Sequence, residues 1–291
     1  MIPKKIHYCW LSSEKIPSDV LDCINSWKRI MPDYELVLWD RNKFDVNSVQ
    51  FVNEACSIKK WAFAADYIRL YAIYTEGGIY LDSDVLVFKK FDDFLKYDYF
   101  SALEYNPQTK IFKDVQNNDL ENIQKIPNFG FQAAIFGGIK GNAFLKDCLS
   151  WYESHNFLLA NGKFRGFELQ QIAPDIYAAI AQKHGFRYVG GLQELQNNMV
   201  ILPSDTFAHS FENLTLNSYA VHIILGSWYN KKEFFIKKFI KQILKRNNFL
   251  RTLFGKKKII SESDFMFHKE KYTIRELTVL TQKYLNLKIS E

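Results

Sequence analysis

Two carboxylates stand two positions apart in the run "EGGIYLDSDVLVF", residues 76–88. The neighbours of Asp82 and Asp84 are apolar and often β-branched, the composition of a strand entering a protein interior. A carboxylate taken out of water without a partner is costly. Either the strand emerges at a solvated edge here, or the pair holds something positive. If the strand continues, the i, i+2 spacing sends both side chains to one face. Two like charges a few ångströms apart repel, and a divalent cation removes that cost. Hard oxygen ligands favour magnesium or manganese, which take one or two carboxylates together with phosphate oxygens. An isolated Asp-x-Asp is a common surface turn; Gly77-Gly78 and the strand make "GGIYLDSD" far more specific.

The elements needed to place this pair read as alternating strands and helices. "KKIHYCW" (4–10) and "YELVLWD" (34–40) have strand patterns. Between them "PSDVLDCINSWKRIMP" is an amphipathic helix, with Ser18 as the expected N-cap and Pro32 just past its end. "KKWAFAADYIRLYAIYTEGG" reads as a long helix stopped by the diglycine. After the Asp-x-Asp run come a short amphipathic piece at "FDDFLKY", strands at "FSALEY", "AAIFGGI" and "YAVHIIL", and helices over 141–153 and 168–183. A polar stretch at 105–128 is expected to be an excursion over a site. Alternation of this kind predicts an α/β fold with a mainly parallel central sheet flanked by helices. Such sheets bind ligands at the carboxyl ends of their strands, where Asp82 and Asp84 fall.

The 291 residues are 47% hydrophobic, enough for one large or two modest domains with a substantial core. Cys9, Cys23, Cys56 and Cys148 are scattered, with neither a CxxC pair nor metal-ligand spacing, and are expected to be reduced thiols. The apolar run in "MIPKKIHYCWL" is too short for a signal peptide, and no stretch approaches a transmembrane helix. The expected location is cytoplasmic. Residues 231–258 hold eleven Lys and Arg against one Glu, a local charge of +10, so the remainder carries −4. The chain therefore divides into a body, 1–230, and a basic amphipathic helical extension, 231–291. Within the extension, Phe239, Ile240, Ile243 and Leu244 fall within about 140° of one another on a helical wheel, with Lys237, Lys238, Lys241 and Lys245 opposite. This pattern suits an anionic membrane surface better than nucleic acid, making the protein peripheral at the cytoplasmic face. Packing of the apolar stripe on the body is the alternative.

Four segments, "IPKKIHYCW", "AADYIRLYAIYTEGGIYLDSD", "AAIFGGIKGN" and "VHIILGSW", resemble the DXD-containing glycosyltransferases. These include capsular-polysaccharide sugar transferases, initiating mannosyltransferases and, more distantly, clostridial glucosylating toxins. The resemblance implies a GT-A nucleotide-sugar-binding fold over 1–230 and retention of the donor's anomeric configuration. It puts Asp84 on the metal, Asp82 on the ribose and the metal, and His222 in the metal shell. It implies Trp10 as the base-stacking residue, Asp66 and Arg69 as the lining of the donor pocket, and Ser227 and Trp228 as phosphate contacts. Gln132 falls where relatives have an amide near the reacting carbon. Each assignment has a plainer counterpart: a core tryptophan, an intrahelical i, i+3 ion pair, a core histidine, and a glutamine that packs or meets the acceptor. "QIAPDIY" departs from the family pattern, with Ala173 before Pro174 where a glycine is usual, which touches the acceptor side.

The function so implied is metal-dependent transfer of a hexose from a nucleotide sugar, UDP-galactose or UDP-glucose first, to a saccharide or lipid-linked acceptor. Mn2+, or Mg2+, is the expected cofactor. Capsule, surface-polysaccharide or glycolipid synthesis is the setting. No obligate carboxylate nucleophile is identifiable; Glu104 and Glu168 are candidates by position only, so front-face substitution is favoured. A noncatalytic nucleotide- or glycan-binding module on the same fold is the alternative. A metal phosphodiesterase needs more acidic or histidine ligands than this cluster offers.

Overall fold

The computed structural model describes residues 1–105, 129–165, 171–210 and 213–224. The chain opens with β1 (Lys5–Cys9), α1 (Ser18–Ile30) and β2 (Glu35–Trp39), then α2 (Gln50–Ser57) and α3 (Trp61–Glu76). Next come β3 (Gly78–Leu81), β4 (Val85–Val87), a 3-10 turn at Asp92–Phe94, and β5 (Tyr99–Tyr105). The remaining described elements are β6 (Phe129–Phe131), β7 (Ile135–Gly138), α4 (Ala143–Glu153), α5 (Ala173–Ala181), a further 3-10 turn at Gln182–His184, β8 (Gln193–Leu195), β9 (Met199–Leu202), β10 (Phe207–Ala208) and β11 (Ala220–His222).

The main sheet has the order β2-β1-β3-β7-β5-β9-β8, with β6 paired to β5. The fold is α/β as expected, but the sheet is mixed rather than mainly parallel. β1 pairs in parallel with β2 and β3, and β5 with β9, whereas β7 runs antiparallel to both β3 and β5 in the centre. Glycine makes that insertion possible: a Cβ on Gly137 would lie 2.3 Å from Cε1 of Phe100, so only a bare backbone fits beside that ring. β1, β3 and β5 consequently share a direction, and Trp10, Asp82 and Glu104 lie at one end of the sheet. The chain entering β7, Gln132–Ala134, lies at that same end.

The expected single strand at 76–88 is broken. β3 belongs to the main sheet, while β4 joins β11 and β10 in a second, three-stranded sheet. Asp82 and Asp84 occupy the turn between the two sheets, closed by the Val85 N–H donating to the Asp82 carbonyl at 3.0 Å. β3 ends at Leu81, as the placement of Asp82 and Asp84 at a strand end expects, so the strand does not continue through the pair and a turn, not strand alternation, brings the carboxylates to one rim. The expected N-cap at Ser18 is also corrected. Pro17 takes that place with extended ψ of 154° and Ser18 makes no cap bond, being already inside the helix. The helix read over 168–183 begins at Ala173, residues 166–170 lying outside the described set.

α3 explains how the site is held. Asp66 and Arg69 are its only charges between Trp61 and Thr75, and both are buried with the apolar residues around them. The helix ends at Gly77 (φ 70°), and Gly78 follows at φ 125°, a backbone open to glycine and strained for other residues. A Cβ on Gly78 would also meet His7 Nε2 at 2.9 Å. This sharp reversal returns the chain directly from α3 into β3. One core cluster joins α2, α3, α4 and α5 on one face of the sheet; another joins α1, the 3-10 turn at Asp92–Phe94 and the second sheet on the other. All four cysteines are buried free thiols, and burial pushes Cys9 up to about 12. Among the described residues, no helix is long and apolar enough to cross a membrane.

Candidate functional site

Antiparallel pairing of β11 with β4 sets His222 opposite Val85, one residue past Asp84. The Ile223 N–H donates to the Asp84 carbonyl at 3.1 Å, locking the end of β11 to the turn. His222 Nε2 lies 3.2 Å from Asp84 Oδ1. One ligand atom from each of Asp82, Asp84 and His222 falls within 4.8 Å of the others. Their side chains are 22%, 18% and 20% exposed, so the group is sunk in the rim yet reachable from solvent. Burial alone would lower the His222 pKa; the Asp84 charge and hydrogen bond, with Asp82 and Glu104 further out, raise it to about 9. In the absence of a cation the imidazolium thus partly offsets the carboxylates. Two carboxylates and one imidazole are a donor set suited to manganese or magnesium.

Asp82 is fixed from behind. The Tyr80 hydroxyl donates to Asp82 Oδ1 at 2.8 Å, and Arg69 Nη2 lies 3.3 Å from the same oxygen. Arg69 Nη2 also meets Asp66 Oδ1 at 3.0 Å, and its Nη1 donates to the Ala133 carbonyl at 2.8 Å. Although burial opposes its charge, Asp82 and Asp66 hold Arg69 protonated. Burial pushes Asp66 up to about 7, against the pull of Arg69 and with the help of Asp82. Asp66 and Arg69 therefore do form the intrahelical pair, and Arg69 in addition bridges it to the Asp-x-Asp turn.

Gln132 is buried at 1% exposure. Its Oε1 accepts the Ala134 N–H at 3.2 Å, and Ala134 in turn accepts the Asp82 N–H at 2.9 Å. Its amide thus braces the short segment on which Asp82 and Arg69 both rest. Trp10 follows β1 at the same end of the sheet, half-buried, with its indole N–H donated to the Glu14 carbonyl at 2.9 Å. Ser227, Trp228, Glu168 and the extension 231–291 lie outside the described residues.

Two participants were missed by the sequence reading. Tyr80, two residues before Asp82, had a legible signal, since a strand tyrosine at i−2 shares a face with the carboxylate. Asp175, buried in the first turn of α5, had none. Glu104 was named from its position alone. Burial pushes it up to about 7; His222 and Arg69 act to lower it, while Asp82 and Asp175 raise it, so it faces the same cluster.

The family described as "glycosyltransferase sugar-binding region containing DXD motif" matches residues 17–101, which hold α3, the diglycine turn, Asp82 and Asp84. Over residues 17–101 the chain is similar to the DXD glycosyltransferases. The chain is similar to inositol phosphoceramide mannosyltransferase 3 of Schizosaccharomyces pombe, 35% identical over 100 residues, 33% of this chain and 28% of that protein. It is also similar to the subversion of eukaryotic traffic protein A of Legionella pneumophila, 30% identical over 119 residues, 32% of this chain and 18% of the relative. The matches thus span less than a third of either relative's length. Among solved structures, the PaToxG glycosyltransferase is similar at TM-score 0.45 and 18% identity, over 62% of this chain and 69% of that one. The galactosyltransferase LgtC, bound to donor and acceptor sugar analogues, is similar at 0.43 and 11%, over 83% and 95%.

Proposed function

We propose that this protein is a metal-dependent, retaining glycosyltransferase of GT-A type, taking a hexose from a nucleotide sugar to a saccharide or lipid-linked acceptor. The observation that carries this reading is the solvent-reachable group Asp82, Asp84 and His222, braced by the buried Arg69–Asp66 pair within the DXD region. These three residues would hold Mn2+ or Mg2+. Such a cation, when bound, supplies electrostatic stabilisation of the charge developing on a departing nucleoside diphosphate. The residues of the chain do the rest. Trp10 offers a ring at the strand ends for a nucleotide base. Arg69 holds Asp82 in place, and Asp66 balances Arg69. The acceptor hydroxyl attacks from the face the diphosphate leaves, consistent with retention by front-face substitution. UDP-galactose and UDP-glucose are the donors to try first, on the family likeness alone.

A screen of UDP-glucose, UDP-galactose, UDP-N-acetylglucosamine and GDP-mannose tests this reading. With manganese, one donor should be hydrolysed slowly without acceptor and should raise the melting temperature. Chelation should remove both effects. Absence of any metal-dependent hydrolysis or stabilisation across the screen overturns the reading. We further propose that 231–258 docks the protein on anionic membrane at a cytoplasmic face, supported by its local charge of +10 and apolar stripe. Flotation with phosphatidylserine vesicles should need this segment and weaken with salt. Equal failure of full-length and 1–230 chains to float removes the membrane claim only.

A further inference from the structure

Among the described residues Glu104 makes no hydrogen bond and no ion pair, yet it faces a crowded polar cluster. Its position follows from the sheet. β5 runs parallel in direction to β3, so the end of β5 meets the end of β3 across the chain entering β7. The links are short: the Asp82 N–H bonds Ala134, Gln132 Oε1 accepts the Ala134 N–H, and the Gln132 N–H donates to the Ala102 carbonyl at 2.8 Å. Glu104 lies two residues beyond Ala102 on the same strand face. Across β5, its partner is Gly130 of β6. Pro174 sits where a Gly130 Cβ would be, 2.6 Å from its carbonyl carbon, so α5 closes down over this corner. Asp175 follows Pro174 and lies within electrostatic reach of Glu104, as do Asp82, His222 and Arg69. The strand end therefore carries a partly buried carboxylate that makes no hydrogen bond or ion pair among the described residues, with His222 and Arg69 as its only favourable charges there.

We propose that Glu104 is a sugar-binding residue, accepting hydrogen bonds from hydroxyls of the hexose carried by the nucleotide. This rests on the donor reading above and deepens it by assigning the sugar subsite. A carboxylate is acceptor-only, with two oxygens, and matches a pair of adjacent sugar hydroxyls that only need to donate. Hydroxyls of a bound sugar would give Glu104 the hydrogen bonds it does not make among the described residues. Metal holding is left to Asp82, Asp84 and His222, and Glu104 contributes nothing to the nucleotide itself. Its effect should fall on the sugar and spare the base, ribose and diphosphate.

The test compares Glu104→Gln and Glu104→Ala with the native protein, by calorimetry with manganese. The probes are UDP against UDP-glucose and UDP-galactose, and GDP against GDP-mannose. Both variants should bind the free nucleotides as the native protein does. They should bind the preferred nucleotide sugar about 10- to 100-fold more weakly, the scale of lost hydrogen bonds to a charged group. Glu104→Gln should melt no lower than the native protein, because the amide fits the same space and relieves a buried charge. Equal weakening toward nucleotide and nucleotide sugar overturns the assignment, as does unchanged affinity for both. A raised manganese requirement with intact sugar preference would make Glu104 a metal-side group and also overturns it. Failure of the native protein to bind any of these probes overturns both this inference and the donor reading. Native binding with an unmoved sugar preference in the variants overturns this inference alone.

Discussion

His222 and Asp84 meet at the seam of the two sheets, imidazole Nε2 to carboxylate at 3.2 Å, while the backbone beside them is tied by the Ile223 N–H to the Asp84 carbonyl. A residue near position 222 and one near 84 are joined here by strand pairing before their side chains interact at all. The second sheet thus brings a third candidate metal ligand to a turn that supplies two. The pair is an ion pair, and both side chains belong to the candidate metal group.

Asp84→Asn should abolish metal-dependent donor hydrolysis, with a loss on the order of 100-fold or more, while the urea midpoint stays near the native value. The amide keeps the shape and loses the charge that faces His222 and the cation. Turnover at the native rate in manganese would show that Asp84 is not a metal ligand.

For His222→Ala the informative quantity is the manganese titration. Removing one of three ligands should raise the half-saturating manganese concentration on the order of tenfold or more. The fold should persist, because β11 remains tied to β4 through the backbone at Ala220 and Val221. An unchanged titration with a large drop in melting temperature would identify His222 as a packing residue.

Arg69 carries the largest structural burden in the site. Arg69→Ala strands Asp66, 8% exposed, without its cation, and should cost about 3–5 kcal/mol in urea unfolding. The double variant Asp66→Asn with Arg69→Met should recover a large part of that loss, because it removes both buried charges together. If the double variant is as unstable as Arg69→Ala alone, packing rather than the unpaired carboxylate accounts for the cost.

Much of this site was legible in the sequence because its parts are local. "AADYIRLYAIYTEGGIYLDSD" places Asp66 and Arg69 one helical turn apart on α3, then a glycine reversal, then the two carboxylates, all within twenty residues. Strand and helix identities for β1, α1, β2, α3, β5, β7 and α4 follow from their periodicity. Strand direction does not, since alternation reads the same both ways, and the central antiparallel β7 was therefore missed. The break at Asp82–Asp84 was missed for a related reason: "GIYLDSDVLV" has one continuous apolar pattern, while the change of sheet depends on β11, more than 130 residues later. Asp175 is brought to the site by the seating of α5 on β6, where Pro174 meets Gly130, which no local pattern announces.

That contact supplies the last prediction. Gly130 lies in β6 opposite Glu104, and a Cβ there would stand 2.6 Å from both the carbonyl carbon and oxygen of Pro174. Backbone atoms do not rotate out of the way, so Gly130→Ala must push the start of α5 outward. Overpacking of this kind costs about 1–3 kcal/mol, and the urea midpoint should fall accordingly. The displacement should also reach the site, because α5 carries Tyr177, whose hydroxyl donates to the Asp66 carbonyl at 3.2 Å. Nucleotide-sugar affinity should therefore weaken together with stability. A Gly130→Ala protein with the native midpoint would mean that α5 is not seated on β6 as described, and would separate Asp175 from this corner of the site.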